Sequence, residues 1–435
     1  MIKRKIIKYG SLSLLLISFS SILPYLENKF LIKIVGDTTL WWIINCFILV
    51  VFWQGMKFFF DSKADKENLK YVFLYLLWNL FSGFRGLFIA DNYWDWKGLI
   101  TNAMAMSLPI VAYSASNLIF SQALLSFYVR FALPLFVIFA PFISNDSYGF
   151  YLVPISFLML FLPVYNLKSK LILFTVTLVV IFADFDARSN IIKFTVPFFL
   201  LGLLFVKNTL LFKLLDLGRN ILFIIPFLLL FLATMDIFNP FQMDKYIKSD
   251  YKQTQKNENG DYIQVSIKAD TRTFLYVEVL RTAKKYNSWF IGRSPARGNE
   301  TEAFASSDLT GRKERLGNEV AILNIFTWTG VIGVLLYMLV FYRASYLAIN
   351  NSNNFYAKLL GIYISFRWVY AWVEDVNTFS LTTFMLWMTL GLAFSTSFRK
   401  MSDKGISFWV KGIFEKKYRL AYYRLLRNQD VKPLV

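Results

Sequence analysis

Residues 319–342 read EVAILNIFTWTGVIGVLLYMLVFY, twenty-four residues whose single charge stands at the first position. A core helix of a soluble protein is apolar along one stripe and polar elsewhere, whereas this run is apolar on every side. At 1.5 Å per residue it is long enough to cross the roughly 30 Å of hydrocarbon in a bilayer. Comparable stretches fall at 7–24, 38–57, 71–90, 98–116, 123–142, 149–166, 171–186, 190–206, 220–237, 356–373 and 378–397. The expected fold is therefore all-α: a polytopic membrane protein of about twelve transmembrane helices. The first stretch, SLSLLLISFSSIL behind Lys3, Arg4, Lys5 and Lys8, shows no obvious small-residue cleavage site and reads as an uncleaved first helix.

The rest of the composition fits a chain dissolved in lipid. Of 435 residues, 56% are hydrophobic and only 17% charged, against about 25% charged in a soluble domain. The net charge of +19 sits in short connectors and a tail and not on one face, so nucleic acid is not an expected partner. With the N-terminus inside, inner connectors carry Lys57, Lys63, Lys66, Lys70, Lys168, Lys170, Lys207, Lys213, Arg219, Arg343 and Lys358, while short outer connectors carry only Lys29, Lys33, Lys97 and Arg188. Positive charge accumulates on the cytoplasmic side, so both termini are expected there. Four parts follow: spans 1–9 in residues 1–237, a large periplasmic loop at 238–318 containing short helices, spans 10–12 in 319–397, and a basic cytoplasmic tail at 398–435.

Cys46 is the only cysteine and there is no histidine. An intrachain disulfide and a cysteine metal cluster are thereby excluded, and so is the commonest general base. No metal or cofactor is expected, and proton transfer falls to a carboxylate, a lysine or a tyrosine.

Charges at the ends of spans need a reason to be there. Arg85, Arg188 and Arg367 all lie toward the outer side, where Glu374-Asp375 joins the last two spans. In the loop, Arg272 precedes an amphipathic stretch, Thr273 to Asn287, in which Phe274, Val277, Leu280 and Ala283 recur at helical spacing and Arg281 sits on the helix. GRSPARG at 292–298 then places Arg293 and Arg297 between two glycines, a pattern suited to phosphate oxygens but equally to a solvated turn. Asn318 reads as the N-cap of the tenth span, with Glu319 in its first turn or serving as a base at the membrane surface.

This order of features resembles the O-antigen polymerase and O-antigen ligase superfamily, bacterial inner-membrane proteins with about a dozen spans and a late periplasmic loop. Arg272 and Gly292 stand where that loop opens with an arginine and closes its helix at a glycine, and Arg188-Ser189 matches the mid-chain Arg-Ser pair. Gly330 and Gly333 match the Gly-x-x-Gly of the ligase branch, whose histidine position is here Glu319. The resemblance implies an enzyme of the bacterial cell inner membrane that polymerises undecaprenyl-diphosphate-linked oligosaccharide units. It also allows a chain-length regulator as a partner beside membrane lipid. Arg272, Arg188 and Glu319 are the expected catalytic residues, with Arg281, Arg293, Arg297, Arg85 and Arg367 toward the diphosphate. Alternatives are a ligase moving glycan to lipid A core or protein, which the missing histidine disfavours, and a flippase without catalysis, disfavoured by the long loop and lack of an internal repeat.

Overall fold

A computed structural model describes residues 2–26, 38–184, 187–205, 209–242, 245–246, 252–256, 262–266, 272–302 and 312–429. The chain is mostly helical. Its longer helices are α1 (Ile2–Ser20), α2 (Thr38–Phe59), α3 (Lys70–Leu87), α4 (Tyr93–Met106), α5 (Leu118–Phe127), α6 (Val153–Met159), α7 (Leu167–Ala183), α8 (Arg188–Gly202) and α9 (Thr209–Thr234). After the loop come α10 (Thr273–Lys285), α11 (Ala321–Asn350), α12 (Phe355–Tyr370), α13 (Leu381–Phe394), α14 (Asp403–Phe414) and α15 (Lys416–Gln429).

Every apolar stretch named above contains helix. Six helical segments among the described residues are long and apolar enough to cross a membrane: Ile2–Tyr25, Thr38–Phe59, Tyr93–Ala115, Leu118–Phe142, Lys213–Thr234 and Ala321–Asn350. The stretch at 149–166 is not one helix but short pieces, because Pro154 and Pro163 each begin a new turn. Pro134 is met differently, by a π-helical turn at Tyr128–Ala132, a wide turn that often accompanies a disrupted ladder.

The centre of the bundle is α13, all fourteen of whose residues are buried. Its Trp387 stacks on Tyr75 and meets Tyr337 edge-on, and Tyr337, Phe341 and Trp368 pack against one another beside it. Helices at the rim do the reverse. Helix α3 exposes Phe73, Leu77, Leu80, Phe84 and Leu87 in one stripe at helical spacing, and α9 exposes Leu217, Ile221, Ile224, Leu228 and Phe231. Such apolar faces are a liability in water and the rule in lipid.

The loop holds more than short helices. Besides α10 it contains two antiparallel pairs, β1 (Lys252–Lys256) with β2 (Tyr262–Ser266), and β3 (Asn299–Glu300) with β4 (Glu314–Arg315). The buried side of α10 is Leu275, Tyr276, Val279 and Ala283; Val277, from the expected stripe, is exposed and faces elsewhere.

Helix α11 is broken. Gly330 has φ 68° and ψ −170°, a region essentially confined to glycine. Loop residues 289–294 enter the break: Arg293 N–H donates to Thr327 O (2.6 Å), Ser294 N–H to Trp328 O (3.2 Å), and Val331 N–H to Trp289 O (2.8 Å). Trp78 Nε1 on α3 donates to Thr329 O (2.9 Å). Gly292, also at φ +68°, makes the approach from the other side. A Cβ on Gly330 would lie 2.2 Å from Phe290 O. Gly330→Ala is expected to cost about 1–3 kcal/mol from backbone strain alone, and more from that clash. Thermal unfolding in detergent should show a lowered midpoint, with new protease cuts in 289–298; an unchanged midpoint would refute it.

Candidate functional site

A polar cavity of about 740 Å³ opens where α8, α11 and the connector between α12 and α13 meet the start of α10. Its lining includes Tyr25, Asp146, Asp184, Ser189, Asn190, Arg272, Arg315, Asn318, Glu319, Glu374 and Asp375. Two guanidinium groups and five carboxyls thus share one space, and the described residues hold no cluster suited to a metal ion.

Arg272 occupies the N-cap position of α10 and makes an ion pair with Glu319. The other Glu319 oxygen accepts from Arg315 at 3.0 Å. One carboxylate therefore holds two guanidinium groups side by side. Asn318 does not cap α11: Val320 takes the N-cap position. Asn324, inside the helix, reaches back, its Oδ1 accepting from Asn318 N–H (2.6 Å) and its Nδ2 donating to Asn318 O (2.8 Å). This leaves the Asn318 side-chain oxygen, in a residue only 4% exposed, without a protein partner at the cavity wall.

Glu374 and Asp375 keep partial access to the cavity and are otherwise packed in protein. Burial pushes the Asp375 carboxyl up to about 7, with the neighbouring Glu374 and Glu319 charges adding to the shift and the hydrogen bonds from Asn377 N–H and Asn324 opposing it. Burial also raises Glu374, against the opposing pull of Lys193 and Arg272. Lys193 itself is fully buried on α8, 3.0 Å from Asn190 Oδ1. These are the features of a carboxyl poised near neutrality.

The expected arginines separate into five places. Arg272 alone lines this cavity, joined by Arg315, which had not been singled out. Arg188 is exposed at the first turn of α8; its neighbours Ala187 and Ser189 line the cavity, but its own side chain is not part of the lining. Arg293 and Arg297 belong to a second cluster. Arg293 pairs with Glu314 at 2.8 Å, and Arg297 with Asp91 at 3.2 Å and Asp95 at 3.8 Å. Arg312 also reaches Asp95, at 2.8 Å. This network, buried at Asp95 and Glu314 and exposed at Asp91, fastens 292–298 to the start of α4. Arg85 holds the same segment by donating to Ile291 O (2.6 Å) and Gly292 O (3.1 Å). Arg281 forms an exposed pair with Glu302 at 2.9 Å. Arg367 is buried in the bundle, its guanidinium 5.0 Å from the Tyr370 ring.

A second, apolar cavity of about 170 Å³ lies between α9, α10 and α12, lined by Pro226, Leu230, Thr273, Tyr276, Val277, Leu280, Trp372 and Val373 among others. The Val277 and Leu280 side of α10 faces it. The two cavities adjoin along the chain, since Arg272 and Glu374 line the polar one while their neighbours Thr273 and Val373 line the apolar one. Arg272 Nε also donates to Val373 O at 3.4 Å.

No family model matches the chain, and no curated protein or solved structure matches it. The site's chemistry rests on its own residues.

Proposed function

We propose that the chain is a membrane glycosyltransferase which polymerises undecaprenyl-diphosphate-linked oligosaccharide units at the outer face of a bacterial inner membrane. On this reading all twelve apolar stretches are membrane-embedded, both termini are cytoplasmic, and the polar cavity opens to the periplasm. The observation that carries the proposal is the adjoining, at Arg272-Thr273, of an apolar cavity and a polar one in which the Arg272 and Arg315 guanidinium groups are held side by side. An amphiphile with an anionic head and a long hydrocarbon tail fits that pairing of surfaces.

In the reaction, the attacking sugar hydroxyl forms a bond to the donor's anomeric carbon while the bond from that carbon to the diphosphate oxygen breaks. The lipid diphosphate leaves with the electron pair, and the hydroxyl proton must be taken up. Arg272 and Arg315 are held side by side to receive the leaving diphosphate, whose oxygens match guanidinium forks. Glu319, engaged by both, keeps them in place before substrate arrives. The proton goes to Asp375, whose carboxyl burial beside Glu374 pushes up to about 7.

The test is chain growth. Purified protein in liposomes, given lipid-linked repeat units, should yield a ladder of lengthened glycans on the carrier lipid. Absence of any growth with folded protein overturns the proposal, and transfer of finished glycan onto lipid A core would mark a ligase instead.

A further inference from the structure

Helix α3 carries a stripe of exposed apolar side chains, Phe73, Leu77, Leu80, Phe84 and Leu87, ending in Phe88, which is 77% exposed. Arg85 lies fifteen residues beyond Lys70, or about 22 Å along the helix axis, toward one edge of a hydrocarbon layer of roughly 30 Å. At that level its guanidinium takes the carbonyls of Ile291 and Gly292. The segment so held presents Phe290 at 71% and Ile291 at 41% exposure.

This tip is fixed from several sides. Its backbone is spliced into the break in α11, with Val331 N–H bonded to Trp289 O (2.8 Å) and Ile332 N–H to Phe290 O (3.3 Å). Asn102 Nδ2 on α4 donates to Pro295 O at 3.0 Å. The protein thus holds two large apolar side chains outward, continuing the α3 stripe. A backbone segment at the membrane edge is tolerated where its polar groups are satisfied by protein, as the carbonyls of residues 289–292 are here. Trp289 begins the tip and Trp78 bonds Thr329 O in the same break, and tryptophan is enriched at the bilayer interface.

We infer that residues 289–291 form a fixed lipid anchor, with Phe290 and Ile291 inserted among the acyl chains of the leaflet that borders the large loop. The occupant is bulk membrane lipid, because the tip extends a helix face already shaped for lipid. The anchor sets the height of the 292–298 segment against the membrane. It does not depend on the proposed enzymatic activity.

The test uses the full chain in nanodiscs, with Cys46→Ser as background and a nitroxide on Phe290→Cys. Phe84→Cys serves as the lipid-facing control and Lys284→Cys, on the exposed end of α10, as the aqueous one. The label at 290 should show the high oxygen and low nickel-chelate accessibility of the Phe84 control, several-fold apart from Lys284. Accessibility equal to that of Lys284 overturns the inference. So does spin–spin broadening that disappears on dilution with unlabelled protein, which would mean a second copy covers the tip. Should the Phe290 variant fail to fold, Ile291→Cys supplies the same reading.

Discussion

Arg272→Ala is expected to lower polymer formation by about a hundredfold to a thousandfold, while the protein still inserts and unfolds near its parent temperature. Arg272 stands where the two cavities adjoin. Its guanidinium lies on Glu319 in the polar cavity, donates to Val373 O on the apolar side, and begins the helix that walls the apolar cavity. Removing it deprives the leaving diphosphate of a charge-assisted donor that no neighbour replaces, since Arg315 is held at the other Glu319 oxygen. Arg272→Lys should recover only part of the loss, because an ammonium lacks the planar fork. Arg281→Ala, which breaks only an exposed pair with Glu302, should remain near parent level. Normal-length polymer from Arg272→Ala would remove the site assignment.

Asp375→Asn is expected to cost about a hundredfold to ten-thousandfold in rate, the range of a lost general base. Its signature is in pH. A base must be ionised, so the parent rate should rise with pH and level off above about 7, and the Asn variant should lose that limb. Stability provides a check that needs no substrate. Folded Asp375 holds its proton up to about 7, whereas an unfolded aspartate releases it near 4. Between those values the native state binds the extra proton, so unfolding free energy should fall as pH rises through the window. Asp375→Asn should flatten that dependence. An unchanged pH profile in both measurements would assign the proton to another group, with Glu374 next in line.

The helical class and the positions of the apolar segments were legible because lipid imposes one rule on every residue: a long run with few charges becomes a helix. Segment 149–166 resisted that rule because Pro154 and Pro163 cut the hydrogen-bond ladder. The arginines were harder. A guanidinium in GRSPARG reads the same whether it awaits a phosphate or is already bonded to Asp91, Asp95 and Glu314, since those carboxylates lie some 200 residues away or across an intervening loop. Glu374-Asp375 carried a visible signal, two adjacent acids between apolar spans, but its meaning depends on Arg272 and Lys193 arriving from other segments. Asn318 does not act as the cap because the helix takes Val320 at its N-cap position, and Asn324, about one turn into the helix, bonds the Asn318 backbone.

The break at Gly330 has a bearing on how the protein is made. Until residues 289–294 dock, Thr327 and Trp328 have carbonyls without their loop donors, in a segment otherwise composed for the bilayer interior. Synthesis delivers the parts in the serviceable order, α3 with Trp78 first, the loop second and α11 last. Assembly of this bundle thus includes a step beyond the packing of finished helices: a loop stretch must fold back and complete a helix made after it.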